Sequence, residues 1–251
     1  MKNTISFFSN DIGITFEFKK KKMWQKASFK NIEKITDLTW KFIIEPVDEF
    51  HYIPGQFVQV KINDITRSYS IASYSFSENI FELLIVKLDG GAMTKVLFEN
   101  INIGDIFEIK GPIGRFTLPE KIDSDILFIC TGTGLAPFRS MLHHIDQNNI
   151  SHEKIYLIFG TRKESDIICY EEMMNLKDKI NGFKYIPVLS RQKWDGEIGY
   201  VHDQYLKIIN EDDLNNPLFY LCGWRNMVKE ARMNLKGLEY ESKRIKLEIY
   251  D

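Results

Sequence analysis

Near residue 120 the hydrophobic rhythm of this chain changes, and that change restricts its possible folds more than any other feature. Before it, short β-branched and aromatic stretches lie at 26–35, 40–45, 56–62, 68–73, 80–88 and 105–110. Turn signals divide them: Pro54-Gly55, Asp89-Gly90-Gly91 and Gly111-Pro112. Strands this short and this closely spaced predict an antiparallel barrel or sandwich. The stretch 92–99 (AMTKVLFE) breaks the pattern and predicts a short helix. Beyond 120, the unbroken apolar run ILFIC (126–130) meets Thr-Gly-Thr-Gly, then a helical spacing of Leu135, Phe138, Met141, Leu142 and Ile145. Apolar runs at 155–160, 183–189, 218–223 and 245–250 then alternate with helical segments near 170–180, 203–209 and 225–236. Strands apolar on both faces, separated by helices, predict a parallel sheet covered on both sides. The proline and charges of LPEKID (118–123) mark the join, so a β domain over 1–119 should precede an α/β domain over 120–251.

Composition removes several function classes. A formal net charge of −2 over 251 residues supplies no basic field for general nucleic-acid binding. Three cysteines cannot build a disulfide framework or a four-cysteine cluster, and no Cys-x4-Cys-x2-Cys spacing occurs. No apolar run is long enough to span a bilayer. The first residues place Asp11 and Glu17 within the apolar part and Lys19 to Lys22 after it, the reverse of a secretory leader. A cytoplasmic protein is therefore expected, with Lys19 to Lys22 as a solvated strand end or tail. His143 and His144 are adjacent on a helix, about 100° apart, and cannot chelate one metal. They read as a helix-surface pair, Cys130 and Cys169 read as small buried hydrophobes, and no metal site is expected.

Three segments could carry chemistry. Thr131-Gly132-Thr133-Gly134-Leu135-Ala136-Pro137 lies between the first strand of the second half and its first helix. In an open parallel sheet that location offers free helix N–H groups to an anion, and Pro137 fits a first helical turn. Arg67-Ser68-Tyr69-Ser70 would place Arg67 and Tyr69 on one strand face, where a guanidinium could pair a phosphate beside a flat ring. Gly90-Gly91-Ala92-Met93-Thr94 feeds the short helix, a further anion seat. Each alone also fits an ordinary turn or strand.

Taken together these segments resemble the ferredoxin–NADP reductase family. Arg67-Ser68-Tyr69-Ser70 is similar to its Arg-x-Tyr-Ser flavin motif, Gly91 to Leu97 to its Gly-x-x-Ser/Thr-x-x-Leu pyrophosphate segment, and Thr131 to Phe138 to its nicotinamide-nucleotide loop. Leu221-Cys222-Gly223 resembles its late Cys-Gly, and Glu248-Ile249-Tyr250 the terminal Glu-x-Tyr of plant-type members. Two departures stand out: Asp251 follows Tyr250, and the segment before Gly90 lacks the long adenine-covering insertion of plastid members.

The resemblance implies a fold of class β + α/β: a Greek-key antiparallel β-barrel holding FAD, followed by a Rossmann-like parallel-sheet domain binding NAD(P)H. Arg67 and Thr94, with Gly91, Ala92 and Met93, would hold the flavin pyrophosphate. Tyr69 and Tyr250 would cover the two flavin faces. Ser70 would sit near flavin N5, Cys222 near nicotinamide C4, and Glu248 would support the hydrogen bonds there. The backbone of Val86 and Lys87 would add flavin contacts. Thr131, Gly132, Thr133, Gly134, Pro137, Cys222 and Gly223 would seat the nucleotide, with Ser190, Arg191 and Arg162 near its adenosine end. A serine and arginines there suit the 2′-phosphate of NADPH, although Trp194-x-Gly196 and Gly199-x-Val201 resemble members using NADH. The implied activity is hydride transfer between NAD(P)H and FAD, with single electrons passed to a separate ferredoxin- or flavodoxin-like protein. The alternatives are an NADH-dependent reductase for an oxygenase, free flavin or ferric iron, and an electron-transfer subunit active only in a complex.

Overall fold

In the first half, side chains that alternate between core and solvent set the architecture. A computed structural model describes residues 24–74 and 79–250; Lys19 to Lys22 and Asp251 lie outside them. Strands β1 (Gln25–Lys34), β2 (Thr39–Pro46), β3 (Phe57–Ile62), β4 (Ile65–Ser70), β5 (Phe81–Val86) and β6 (Ile106–Ile113) form one antiparallel sheet in the order β4-β3-β6-β1-β2-β5. Phe42 and Ile44, Val58 and Val60, Leu83 and Ile85, and Phe107 and Ile109 point inward at every second residue and fill a common core. A bridge between Ile71 and Leu83 closes the sheet into a barrel. Helix α1 (Ala92–Glu99) buries Met93 and Leu97 in the same core.

The strand expected at 68–73 runs instead over Ile65–Ser70. Asn63 adopts a φ of 52°, and the two-residue turn Asn63-Asp64 joins paired Ile62 and Ile65, so the hairpin starts earlier than the apolar pattern indicated.

The second half follows its unbroken apolar runs. Strands β7 (Ile126–Thr131), β8 (Ile155–Thr161), β9 (Phe183–Leu189), β10 (Glu197–Ile198), β11 (Leu218–Trp224) and β12 (Ile245–Tyr250) are parallel, in the order β10-β9-β8-β7-β11-β12. Ile126, Phe128 and Cys130 face α2 (Leu135–Gln147) and α3 (Tyr170–Lys179). Leu127 and Ile129 face α4 (Val201–Glu211) and α5 (Arg225–Gly237). All five are fully buried, and each of the four large ones contributes about 1.5–3 kcal/mol. At the amino end, the buried Asp125 carboxylate accepts the N–H groups of Lys154 (2.9 Å) and Asn215 (2.7 Å), tying the starts of three neighbouring strands together. Strand order reverses between β7 and β11, and in open parallel sheets the crevice at such a reversal is where ligands bind.

Cys130 is buried as expected, whereas Cys169 is only half-buried, because it caps α3 in the left-handed region (φ 55°). His143 is not a surface residue: its side chain is 12% exposed, stacks on Tyr74 and hydrogen-bonds Glu172. His144 is half-buried and bonds Asn148. No helix among the described residues is long and apolar enough to cross a membrane, and no cluster of metal-binding side chains occurs among them.

Candidate functional site

The two halves meet at a cavity of about 570 Å³. The barrel contributes Arg67, Ser68, Tyr69 and Ser70 from β4, Leu84, Ile85 and Val86 from β5, and Gly91, Ala92, Met93 and Thr94 at the start of α1. The second half contributes Thr131 from the end of β7, Thr133 from the turn that follows it, Gly223 and Trp224 from the end of β11, and Glu248, Ile249 and Tyr250 from β12.

Two glycines let the carboxyl ends of β7 and β11 converge. Gly223 has a φ of 131°, and a side chain on it would lie 2.5–3.0 Å from Thr131 atoms. A side chain on Gly134, in the single 3₁₀ turn Gly132–Gly134, would collide with the Cys222 carbonyl. Thr131 accepts the Trp224 N–H at 3.3 Å and closes the junction. Pro137 sits in the first turn of α2 and, with Gly132 and Gly134, shapes the turn behind the cavity wall.

One hydrogen bond spans the cavity from domain to domain. Ser70 Oγ donates to Glu248 Oε2 at 3.0 Å, across 178 residues of sequence. Burial raises the Glu248 carboxyl to about 7, against the opposing effect of the Ser70 bond. The pair can therefore hold or release a proton near neutrality. Parallel pairing sets Cys222 beside Glu248, and the thiol is fully buried. Burial and the neighbouring Glu248 charge push it up, so it stays protonated and is no nucleophile. The Tyr250 hydroxyl is buried beside Cys222, Glu248 and Ser70 without completing a well-formed hydrogen bond. Tyr69 packs on the barrel core beneath the cavity, its hydroxyl also pushed up by burial.

The anion seats have different origins. Arg67 is exposed, and the hydrogen bond shown for it uses Nη1 to the Thr66 carbonyl at 2.8 Å, leaving a fork of donors at the cavity rim. Thr94 was expected to hold the pyrophosphate itself. Its hydroxyl is instead committed to the carbonyls of Leu88 (2.9 Å) and Gly91 (3.0 Å), where it fixes the turn. What faces the cavity is the uncapped N-terminus of α1, whose first N–H groups have no helical acceptor. Just past β5 the Lys87 N–H donates to the Leu38 carbonyl, which turns its main chain toward the start of β2. By strand alternation Val86 turns its main chain to the unpaired edge, so Val86 borders the cavity and Lys87 does not.

A flat dinucleotide fits these groups. The cavity is lined by Phe57, Tyr69, Trp224 and Tyr250 and carries a cationic fork, a helix N-terminus and an open strand edge. Ser190, Arg191 and Arg162 stand apart from it, at the carboxyl ends of β9 and β8. Arg191 N–H donates to the Arg162 carbonyl at 3.0 Å, and both side chains are exposed. The Ser190 hydroxyl bonds the Thr161 carbonyl at 3.2 Å.

Comparison with known proteins agrees with this arrangement. Residues 30–118 match the family described as oxidoreductase FAD-binding domain, and residues 128–233 the oxidoreductase NAD-binding domain. The chain belongs to the oxidoreductases that join these FAD-binding and NAD-binding domains. Among curated relatives of this chain, the anthranilate 1,2-dioxygenase electron transfer component of Acinetobacter baylyi is 29% identical over 192 residues, covering 74% of this chain and 54% of the relative. The phenol hydroxylase P5 protein of Acinetobacter pittii is 33% identical over 183 residues, covering 70% and 51%. The chain thus spans about half the length of these relatives. A ferredoxin NADP+ reductase from Neisseria gonorrhoeae, solved with bound FAD and NADP, shares the fold with a TM-score of 0.79 at 21% identity, covering 91% of this chain and 99% of that one.

Proposed function

We propose that the chain accepts a hydride from NAD(P)H onto FAD and passes the electrons singly to a separate redox protein. The observation that carries this reading is the shared cavity. It brings the Arg67–Ser70 strand, the Glu248–Tyr250 strand and the Thr131–Gly134 turn to one space, although they lie far apart in sequence.

Residues 1–119 would hold the flavin and residues 120–251 the nucleotide. Bound FAD supplies hydride acceptance and one-electron release. Arg67 and the α1 N-terminus neutralise its pyrophosphate, and Tyr69 supports one ring face. Ser70 and Glu248 hold a proton beside the reacting edge. Tyr250 would cover a bound flavin, exclude water and have to move for a nicotinamide to reach it. Gly223 and Thr131 would leave room for that nicotinamide near the buried Cys222. Hydride transfer needs the two reacting atoms about 3–3.5 Å apart, and a fixed cleft between two domains supplies such a geometry.

NADPH is the proposed nucleotide, because two exposed arginines, Arg162 and Arg191, end neighbouring strands where a 2′-phosphate would be paired. Replacing Ser190→Asp with Arg191→Ala should raise the NADPH KM about tenfold and leave the NADH KM alone; an unchanged ratio refutes the assignment. The acceptor is proposed to be a ferredoxin- or flavodoxin-like protein. A second reading, an oxygenase reductase using NADH, is favoured by the relatives named as dioxygenase electron transfer components. We also place the chain in the cytoplasm, on its unpaired thiols.

The test is direct. The purified protein should be yellow, or become so with FAD, and should bleach anaerobically with NADPH. An acceptor screen then separates the two readings. A colourless chain that FAD cannot reconstitute refutes both.

A further inference from the structure

The helix that carries the nucleotide turn also grips the flavin strand. Arg139 lies on α2, five residues beyond Gly134 and so about 7.5 Å along the axis. It is 5% exposed. Its Nε is shared between both Glu172 carboxylate oxygens at 2.9 Å. Its Nη1 donates to the Ala72 carbonyl at 2.8 Å and to Glu82 Oε2 at 2.5 Å. The next residue, Ser140, donates to the Ser73 carbonyl. Tyr74 places its ring 5.3 Å from the guanidinium and stacks on His143, which in turn bonds Glu172. Burial alone would raise the Glu172 carboxyl, but the bonds from His143 and Arg139 override it and hold it at about 2.

Ala72 and Ser73 follow Ser70 by two and three residues. We infer that Arg139, seconded by Ser140, is a positioning residue that fixes the separation between the nucleotide turn and the flavin strand through one stiff helical lever.

The inference rests on the functional reading given above and deepens it. Stability alone does not account for such a cluster, since buried ion pairs are commonly no more stabilising than apolar packing. What a buried guanidinium supplies is direction. Its planar fork accepts partners only along fixed vectors, and here those partners come from α3, from β5 and from the main chain just beyond β4. A barrel rotated or displaced by an ångström would break the set, and a misplacement of that size between reacting atoms costs about 10²-fold in rate.

The experiment uses the FAD-loaded protein and the variants Arg139→Gln, Arg139→Lys and Ser140→Ala. Four quantities are measured: FAD content, NADPH KM, the anaerobic hydride-transfer rate, and the long-wavelength absorbance of a nicotinamide stacked on the flavin. Arg139→Gln should retain FAD, keep KM within about threefold, lose the stacking absorbance and transfer hydride about 10²-fold more slowly. Arg139→Lys, with a point charge but no fork, should recover part of the rate. An Arg139→Gln protein with wild-type rate and absorbance overturns the inference. So does a proportionate loss of FAD, affinity and rate together, which is general loosening. Should Arg139→Gln fail to fold, Ser140→Ala decides: it keeps every buried charge and should slow transfer about fivefold at unchanged KM, and an unaltered rate overturns the inference. A wild-type protein that neither NADPH nor NADH reduces sinks the functional reading and this inference with it. Failure of the inference alone shows in the variants while the wild type remains active.

Discussion

Replacing Glu248 with glutamine should make the protein more stable in mild alkali while changing it little in acid. The carboxyl is carried from 4.5 in the unfolded chain to about 7 in the fold, chiefly by burial. An acid whose folded value is raised contributes stability that is fully present below the unfolded value and is lost as pH rises through the folded one. The window is therefore pH 4.5 to 7. At 1.36 kcal/mol per unit, the full difference is about 3 kcal/mol. Glutamine does not titrate, and its carbonyl can still accept the Ser70 hydroxyl. Urea unfolding of the FAD-free protein at pH 5 and pH 8.5 isolates this group, since the two proteins share every other titration. The advantage of Glu248→Gln over the wild type should grow by about 2–3 kcal/mol between those pH values, or roughly 5–10 °C in Tm. The same substitution should remove a limb near pH 7 from the wild-type hydride-transfer profile. An advantage that does not change with pH would refute the reasoning.

Two further substitutions probe the walls of the cavity. Arg67→Ala should weaken FAD binding about 10–100-fold, the worth of a charge-assisted hydrogen bond. It should leave the stability of the FAD-free protein within about 0.5 kcal/mol because the residue is exposed. Titration of the FAD-free protein with FAD measures the first effect, and an unchanged affinity would move the pyrophosphate elsewhere. Gly223→Ala should cost about 2–5 kcal/mol, because φ is 131° and the new methyl meets Thr131 at 2.5–3.0 Å. Urea midpoints test this, and a neutral result would mean that β7 and β11 do not converge so closely.

Periodicity made most of the fold legible, because a strand with one wet face and a strand with two dry ones leave different patterns. Phe42 and Ile44 alternate with half-buried neighbours, whereas Ile126 to Cys130 is buried throughout. The start of β4 was missed because a turn residue at positive φ, Asn63, decided it and not the apolar pattern. The two-residue β10 is too short to leave a pattern at all. At the site, glycines and residue order marked which segments meet. They did not show where hydroxyls and main-chain donors point, so the inward bond of Thr94 and the turned-away Lys87 emerged only from geometry. Arg139 escaped notice, and His143 read as a surface residue, for a different reason. Ala72 and Glu82 lie 67 and 57 residues from Arg139, and Glu172 is 29 from His143, so no local spacing announces them.

The Thr94 hydroxyl, turned inward, also bears on how such a seat is built. A cradle made of amide groups presents the same atoms whatever side chains flank it, which leaves Ala92 to line the cavity and Met93 to fill the barrel core. What the proposed seat requires is the posture of the turn, held by one small hydroxyl bonded to the main chain.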